Sequence, residues 1–251
     1  MSTTDRFGPH SRDKIDRDYV VSAALSIVDR TGLDSLSIRS LATSIDRDPM
    51  TVYRYLPTKE ALLDAIADSI LSPLVTVDRT DPDWQGQLRL FARHYRRLAL
   101  EHPHAAILLS TRPHRTPLGL GTTRSLRSLE SVMALMTNAG FTAPEALSTY
   151  RLLKSFLRGH VLSETQEMTE NPDETGDRLS LALRRLPADE FPLLSTLPPL
   201  ITAYDGAHEL ERGLDVLFAG LVMTIAPAEA ITPAESGRST CPDMPPPQPS
   251  R

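Results

Sequence analysis

Little in this sequence supports a covalently stapled or metal-built architecture. The 251 residues include one cysteine, Cys241, so no disulfide can close within the chain and no cysteine cluster can hold zinc. Aromatic residues make up 5% of the chain, which argues against the stacking platforms that bind single-stranded nucleic acid. No apolar run approaches the roughly 20 residues needed to cross a bilayer. The polar start, MSTTDRFGPHSRDKIDRDY, lacks the apolar core of a secretory signal. Together these absences point to a cytoplasmic protein without membrane attachment. An excess of positive charge is missing too. With a formal net charge of −5, a nucleic-acid role has to come from a local patch. The chain contains no G-x-S-x-G elbow, no Walker or Rossmann glycine pattern and no H-E-x-x-H, so an enzyme reading has no support. Scattered carboxylates such as Asp64, Glu101, Glu164 and Glu167 are expected on solvated helix faces.

What is present is helical periodicity, with 40% apolar and 24% charged residues on a chain long enough to bury a core. Val20, Val21, Ala24, Leu25 and Val28 form an apolar stripe over a first helix that Thr31-Gly32 ends. Ser37 can cap a short second helix with Ile38, Leu41, Ala42 and Ile45 on its inner side. Asp48 and Pro49 open a third that runs to about Tyr55, and Thr58 caps a fourth. Thr76 to Asp83 is a polar connector. Beyond it, longer helices are expected over 84–101, 104–110, 119–138, 143–168 and 205–225, with an acidic loop over 164–177. Thr142 and Glu145 have capping-box spacing. The expected fold is all-α: a flexible arm over 1–14, a helix-turn-helix domain over 15–75, a larger helical domain over 76–226, and a disordered proline-rich tail over 227–251.

The second and third helices have the dimensions of a helix-turn-helix, and each is too short to stand without support from its neighbours. Between Ser37 and Lys59, Arg39, Arg47, Arg54 and Lys59 outnumber Asp46 and Asp48, a local balance of +2. Thr51, Arg54 and Tyr55 lie around one side of the third helix, while Val52 and Leu56 face inward. Arg can pair with guanine in a major groove and Thr can touch a thymine methyl. Tyr53 and Lys59 are placed for phosphates, and the N–H groups after Thr58 offer one more phosphate contact.

The stretch DRDYVVSAALSIVDRTGLDSLSIRSLATSIDRDPMTVYRYLPTKEALLDAIAD resembles the DNA-binding domain of the TetR family of bacterial transcriptional regulators. The likeness lies in the spacing of all four helices and in the LSIR-x-LA and TVYRYL-x-x-KEALLDA segments. Weaker likeness continues through Trp84-Gln85, Ser110–Pro113, Ala139-Gly140-Phe141 and ERGLDVLFAGL at 211–221, which are similar to tetracycline-repressor-like ligand and dimerisation domains. The resemblance implies a homodimeric, ligand-responsive regulator, most simply a repressor, on a palindromic double-stranded operator. It implies that Arg39, Thr51, Arg54 and Tyr55 read bases, while Ser37, Asp48, Pro49, Met50, Tyr53 and Lys59 position the helices, with Asp48 chiefly a cap. For dimerisation it points to the helices at 143–168 and 205–225, through Leu152, Phe156, Leu210, Leu214, Leu217, Phe218 and Leu221. The rival reading is a helical small-molecule-binding or scaffold protein without specific DNA binding.

Tetracycline repressors hold a magnesium–tetracycline chelate through histidines on the fourth and sixth helices. The resemblance aligns Val75 and Leu108 with those positions. Phe91 and Tyr95 fall where the fifth helix faces the ligand, and Val132 joins them. The expected effector is an unidentified, more apolar small molecule, bound without a metal or other cofactor. His94, His102 and His104 do not converge as ligands would, because Pro103 sets the last beyond a helix break, so they are expected as surface or capping residues.

Overall fold

The computed structural model describes residues 15–111, 123–169 and 179–225, and among these there is no strand. The expected arm and tail, the start of the helix expected from 119 and most of the acidic loop lie outside the described residues. Helix α1 (Arg17–Thr31) begins where the Asp16 carboxylate accepts the Tyr19 N–H at 2.8 Å, and buries Val20, Val21, Ala24, Ile27 and Val28. Gly32, at a φ of 80°, ends it by returning its N–H to the Val28 carbonyl. A 3-10 turn, Leu33–Ser35, that the sequence pattern does not announce then leads into α2 (Ile38–Ser44). After α2 come α3 (Pro49–Tyr55) and α4 (Lys59–Ile70). Leu41, Ala42, Ile45, Val52, Leu56, Leu62 and Ile66 close the core of this N-terminal unit against α1.

The connector over 71–83, polar from Thr76 onward, is well tied. Asp78 Oδ1 accepts from both the N–H and the hydroxyl of Thr80, Gln87 takes the Asp78 N–H at 2.9 Å, and Asn138 donates to the Arg79 carbonyl at 2.8 Å. Asp83 then caps α5 (Trp84–Glu101) through the Gly86 N–H. The second unit continues with α6 (Pro103–Thr111), α7 (Thr123–Asn138) and α8 (Ala143–Thr169). A helical stretch over 179–184, a 3-10 turn at Leu194–Thr196 and the short α9 (Pro198–Thr202) lead to α10 (Gly206–Ile225). Helix α8 is the central element, packing on α5, α6, α7 and α10, and α6 in turn carries α1 and α4 of the N-terminal unit. Trp84 edges onto both Phe141 and Phe218, with ring centroids 5.3 and 5.4 Å away, which locks the start of α5 between α10 and the turn before α8.

One expectation needs correction here. The helix at 143 runs to Thr169, so residues 164–169 of the expected loop are helical. Glu164 itself is 8% exposed rather than solvated, because Arg96 of α5 grips its carboxylate with two guanidinium nitrogens. Leu210, Leu214 and Phe218, expected at a dimer contact, are at most 2% exposed within the single chain, turned onto α5 and α8. Phe218 packs on Trp84 and under the Arg89 guanidinium. The open face of α10 instead presents Val216 (72% exposed) and Met223 (80%). Of the remaining expected dimer residues, Leu152 is exposed, and Phe156, Leu217 and Leu221 are half-buried against the core.

Candidate nucleic-acid interface

The interface is built by caps and by one left-handed residue. Ser37 and Ser40 form a reciprocal capping box: the Ser37 hydroxyl accepts the Ser40 N–H at 3.0 Å, and the Ser40 hydroxyl accepts the Ser37 N–H at 2.9 Å. At the end of α2 the chain reverses at Asp46, whose φ of 53° makes it the one non-glycine residue with positive φ among the described residues. The Arg47 N–H bonds back to the Ala42 carbonyl at 2.9 Å, which fixes the angle at which α3 leaves. Asp48 then caps α3, accepting the Met50 N–H at 2.7 Å, and Pro49 occupies the first helical turn. Thr58 caps α4 through the Ala61 N–H at 3.0 Å, leaving Lys59 exposed at its start.

On this frame the inner side of α3 is sealed: Val52 is 0% and Leu56 2% exposed. The outer side presents Met50 (71% exposed), Tyr53 and Arg54, and Arg39 and Ser37 of α2 are exposed as well. Thr51 is half-buried between the two sides. Among the described residues no ion pair engages Arg39, Arg54 or Lys59, whereas Arg89, Arg93, Arg96 and Arg97 of α5 are each held by a carboxylate. Tyr55 departs from the expected role of base reader. It is half-buried, and its hydroxyl donates to the Ile15 carbonyl at 2.6 Å, 40 residues away, so the ring ties α3 to the entrance of α1.

Of the residues expected around an effector, Phe91 and Tyr95 of α5, Leu108 of α6 and Val132 of α7 share one buried core, with Phe91 the most accessible at 9%. Val75 is half-buried in the connector, and its N–H donates to His94 Nδ1 at 3.0 Å. His94 is therefore a strut between α5 and the connector rather than a surface residue. His102 Nδ1 likewise meets Asp29 Oδ2 at 2.9 Å, joining the end of α5 to α1. Neither contact is readable from spacing, since both link distant segments. Among the described residues no three His, Cys, Asp or Glu side chains group as metal ligands. No described helix is long and apolar enough to cross a membrane.

With this geometry in place, likeness to known proteins becomes informative. Residues 78–225 match the family described as tetracyclin repressor-like, C-terminal domain. The chain is 31% identical over 210 residues to an HTH-type transcriptional regulator of Saccharopolyspora erythraea, covering 83% of this chain and 85% of that one. It is 29% identical over 210 residues to the class D tetracycline repressor protein of Escherichia coli, covering 82% and 89%. The Streptomyces coelicolor TetR family protein ActR, crystallised with actinorhodin, superposes with a TM-score of 0.72 at 28% identity, over 85% of this chain and 99% of that one. A capped helix-turn-helix with a bare outer face, set on a helical domain of this kind, makes the chain a member of the TetR family of ligand-responsive, DNA-binding transcriptional regulators.

Proposed function

We propose that this protein is a cytoplasmic, homodimeric repressor that grips a palindromic operator through α2 and α3 and releases it when a small molecule enters the helical domain. The outer face of α3 carries the reading. Met50, Tyr53 and Arg54 stand in solvent there, with no side-chain hydrogen bond or ion pair among the described residues, while the opposite face is sealed by Val52 and Leu56. Such a helix can enter a major groove without first breaking contacts of its own. Arg39, Thr51 and Arg54 read base edges. Ser37, Asp48, Pro49, Met50, Tyr53 and Lys59 set the helices on sugar and phosphate. Tyr55 holds α3 at its angle through Ile15. Two-fold symmetry then requires half-sites spaced by multiples of about 34 Å.

TetR-family regulators bind operator DNA, act as dimers and bind small-molecule effectors, and they are generally non-enzymatic. For this chain the effector region is assigned to Phe91, Tyr95, Leu108 and Val132, with Val75 in the connector. Aliphatic Val75 and Leu108 stand where tetracycline repressors carry histidines, which supports an effector held without a magnesium chelate. Titration with magnesium and tetracycline is expected to give no saturable fluorescence change; tight binding would refute it. The dimer surface is assigned to the open faces of α8 and α10, where Leu152, Val216 and Met223 are exposed.

The primary test is selection of duplexes from a random library at near-physiological salt. The expected result is a palindrome. A folded dimer that enriches no sequence would overturn the regulator reading for this chain.

A further inference from the structure

The two histidines that tie α5 to its surroundings both reach toward the N-terminal unit. His94 Nδ1 accepts the Val75 N–H at 3.0 Å, in the connector that leaves α4. His102 closes α5 and opens α6 with its own backbone. Its N–H donates to the Ala99 carbonyl at 3.2 Å, and its carbonyl accepts the N–H groups of Ala105 and Ala106 at 3.0 and 2.8 Å. From that corner the side chain crosses to α1, where Nδ1 meets Asp29 Oδ2 at 2.9 Å. Asp29 Oδ1 is buried without a hydrogen bond among the described residues. The carboxylate therefore depends on His102, and losing that contact would leave a sheltered charge unsatisfied.

Asp29 lies in the last turn of α1, and the chain entering α1 is held by the Tyr55 hydroxyl at the Ile15 carbonyl. Helix α1 is thus tied to the corner of α5 and α6 at one end and to α3 at the other. On the opposite side of this route, α5 carries Phe91 and Tyr95 of the effector region. Phe91 and His94 are three residues apart, and Tyr95 and His102 are two turns apart, so each tie sits close to an effector residue on one rigid helix. Helix α6 also packs on α1 and α4. Apolar packing of that kind tolerates small sliding, whereas a hydrogen bond is lost when its distance or angle changes.

We propose that His94 and His102 are positioning residues that couple effector binding to operator binding, with α5 as the element that moves between them. A molecule beside Phe91 and Tyr95 displaces α5. The displacement passes through His102 and Asp29 to α1 and α3, and through His94 and Val75 to the end of α4. With both ties made, the reading heads hold the arrangement that fits the operator. The proposal rests on the regulator reading above.

Coupling between two sites is reciprocal, so operator DNA itself can serve as the probe and no effector is needed. The full-length protein is mixed with the palindromic duplex recovered by selection, and hydrogen exchange is followed at the Val75 amide. Saturating duplex is expected to slow that exchange at least about fivefold, with no matching change in the core of α7. His94→Ala and His102→Ala should each weaken operator binding at least about fivefold while base preference and salt dependence stay as in the parent. His102→Gln, which keeps a donor for Asp29, should retain most of the affinity. Asp29→Ala added to His102→Ala should cause no further loss. Parental operator affinity in folded His94→Ala and His102→Ala, with only the melting temperature lowered, would make the ties purely structural and overturn the proposal. Unchanged Val75 exchange in the saturated parent would overturn it as well, and this measurement stands even if a variant fails to fold. Either result leaves the regulator reading intact, whereas a selection that recovers no duplex overturns that reading and the coupling with it.

Discussion

Arg54 and Tyr55 are adjacent on α3, yet their side chains are committed differently: Tyr55 spends its hydroxyl on the Ile15 carbonyl, and Arg54 keeps its guanidinium in solvent. Tyr55→Phe should therefore cost about 1 kcal/mol of fold stability, the typical net value of one hydrogen bond. It should leave base preference unchanged. Arg54→Ala should cost about 1–3 kcal/mol of operator affinity and relax preference at one position, while Lys59→Ala weakens all duplexes alike and flattens the salt dependence. Fluorescence anisotropy against single-base operator variants, with thermal melts alongside, distinguishes the three. A relaxed base preference in Tyr55→Phe would restore Tyr55 as a reader. Lys154 offers a residue-scale test by pH. Its ordinary value of 10.5 is lowered to about 8, first by burial and then by Arg158. Between those two values the unfolded chain binds more protons than the folded one, so stability rises with pH across that window. Below about 8 the full penalty of the buried charge applies. Lys154→Met should melt higher than the parent at pH 7, with the advantage shrinking as pH climbs toward 10.5. An advantage independent of pH would show that the charge is not its cause.

At the scale of elements, two arginines of α5 pair with carboxylates of very different surroundings, one on α8 and one on α5 itself. Arg96 and Glu164 keep only 21% and 10% of their side-chain surface exposed, with Gly206 so close that a Cβ there would overlap the Glu164 carboxylate. Arg97 and Glu101, one turn apart, are 60% and 47% exposed. Removing one partner from the sheltered pair strands a charge, so Glu164→Ala should cost about 3 kcal/mol and respond weakly to salt. Glu101→Ala should cost less than about 1 kcal/mol. Denaturant melts at low and high salt check both, and equal losses would show that burial does not set the difference. The same contrast explains what the sequence could reveal. Short-range chemistry was legible: the caps at Ser37, Asp48, Thr58 and Glu145, and the stops at Gly32 and Gly140, depend on neighbours a few residues apart. The inner face of α3 was legible because Val52 and Leu56 are one turn apart. Tyr55 to Ile15, His94 to Val75, His102 to Asp29 and Arg96 to Glu164 join segments 19 to 73 residues apart, and no local periodicity encodes them. The apolar stripe of α10 was visible, but it did not say whether it meets a partner or the chain's own α5.

For the whole molecule, the face that α10 leaves open is the proposed surface on which two protomers join. Leu214 is 0% exposed and packed inside the chain, so Leu214→Ala should act as a core truncation, costing about 2–5 kcal/mol and lowering the melting temperature. Val216 and Met223 lie on the opposite side, 72% and 80% exposed, with Leu152 of α8 48% exposed on the neighbouring helix. In a two-fold interface each substitution enters twice, and groups near the axis meet their own copies. Val216→Glu would therefore place like charges on an apolar contact that is desolvated on dimerisation, a combination costing several kcal/mol. The expected outcome is a shift from dimer to monomer in sedimentation velocity, with far-ultraviolet helicity largely retained. Operator affinity should fall far more than in Arg54→Ala, because one head alone contacts only a half-site. Adding Met223→Glu should deepen the effect. If both substitutions leave the dimer and its operator affinity intact, the protomers join through a different face, and the spacing between reading heads follows from that face instead.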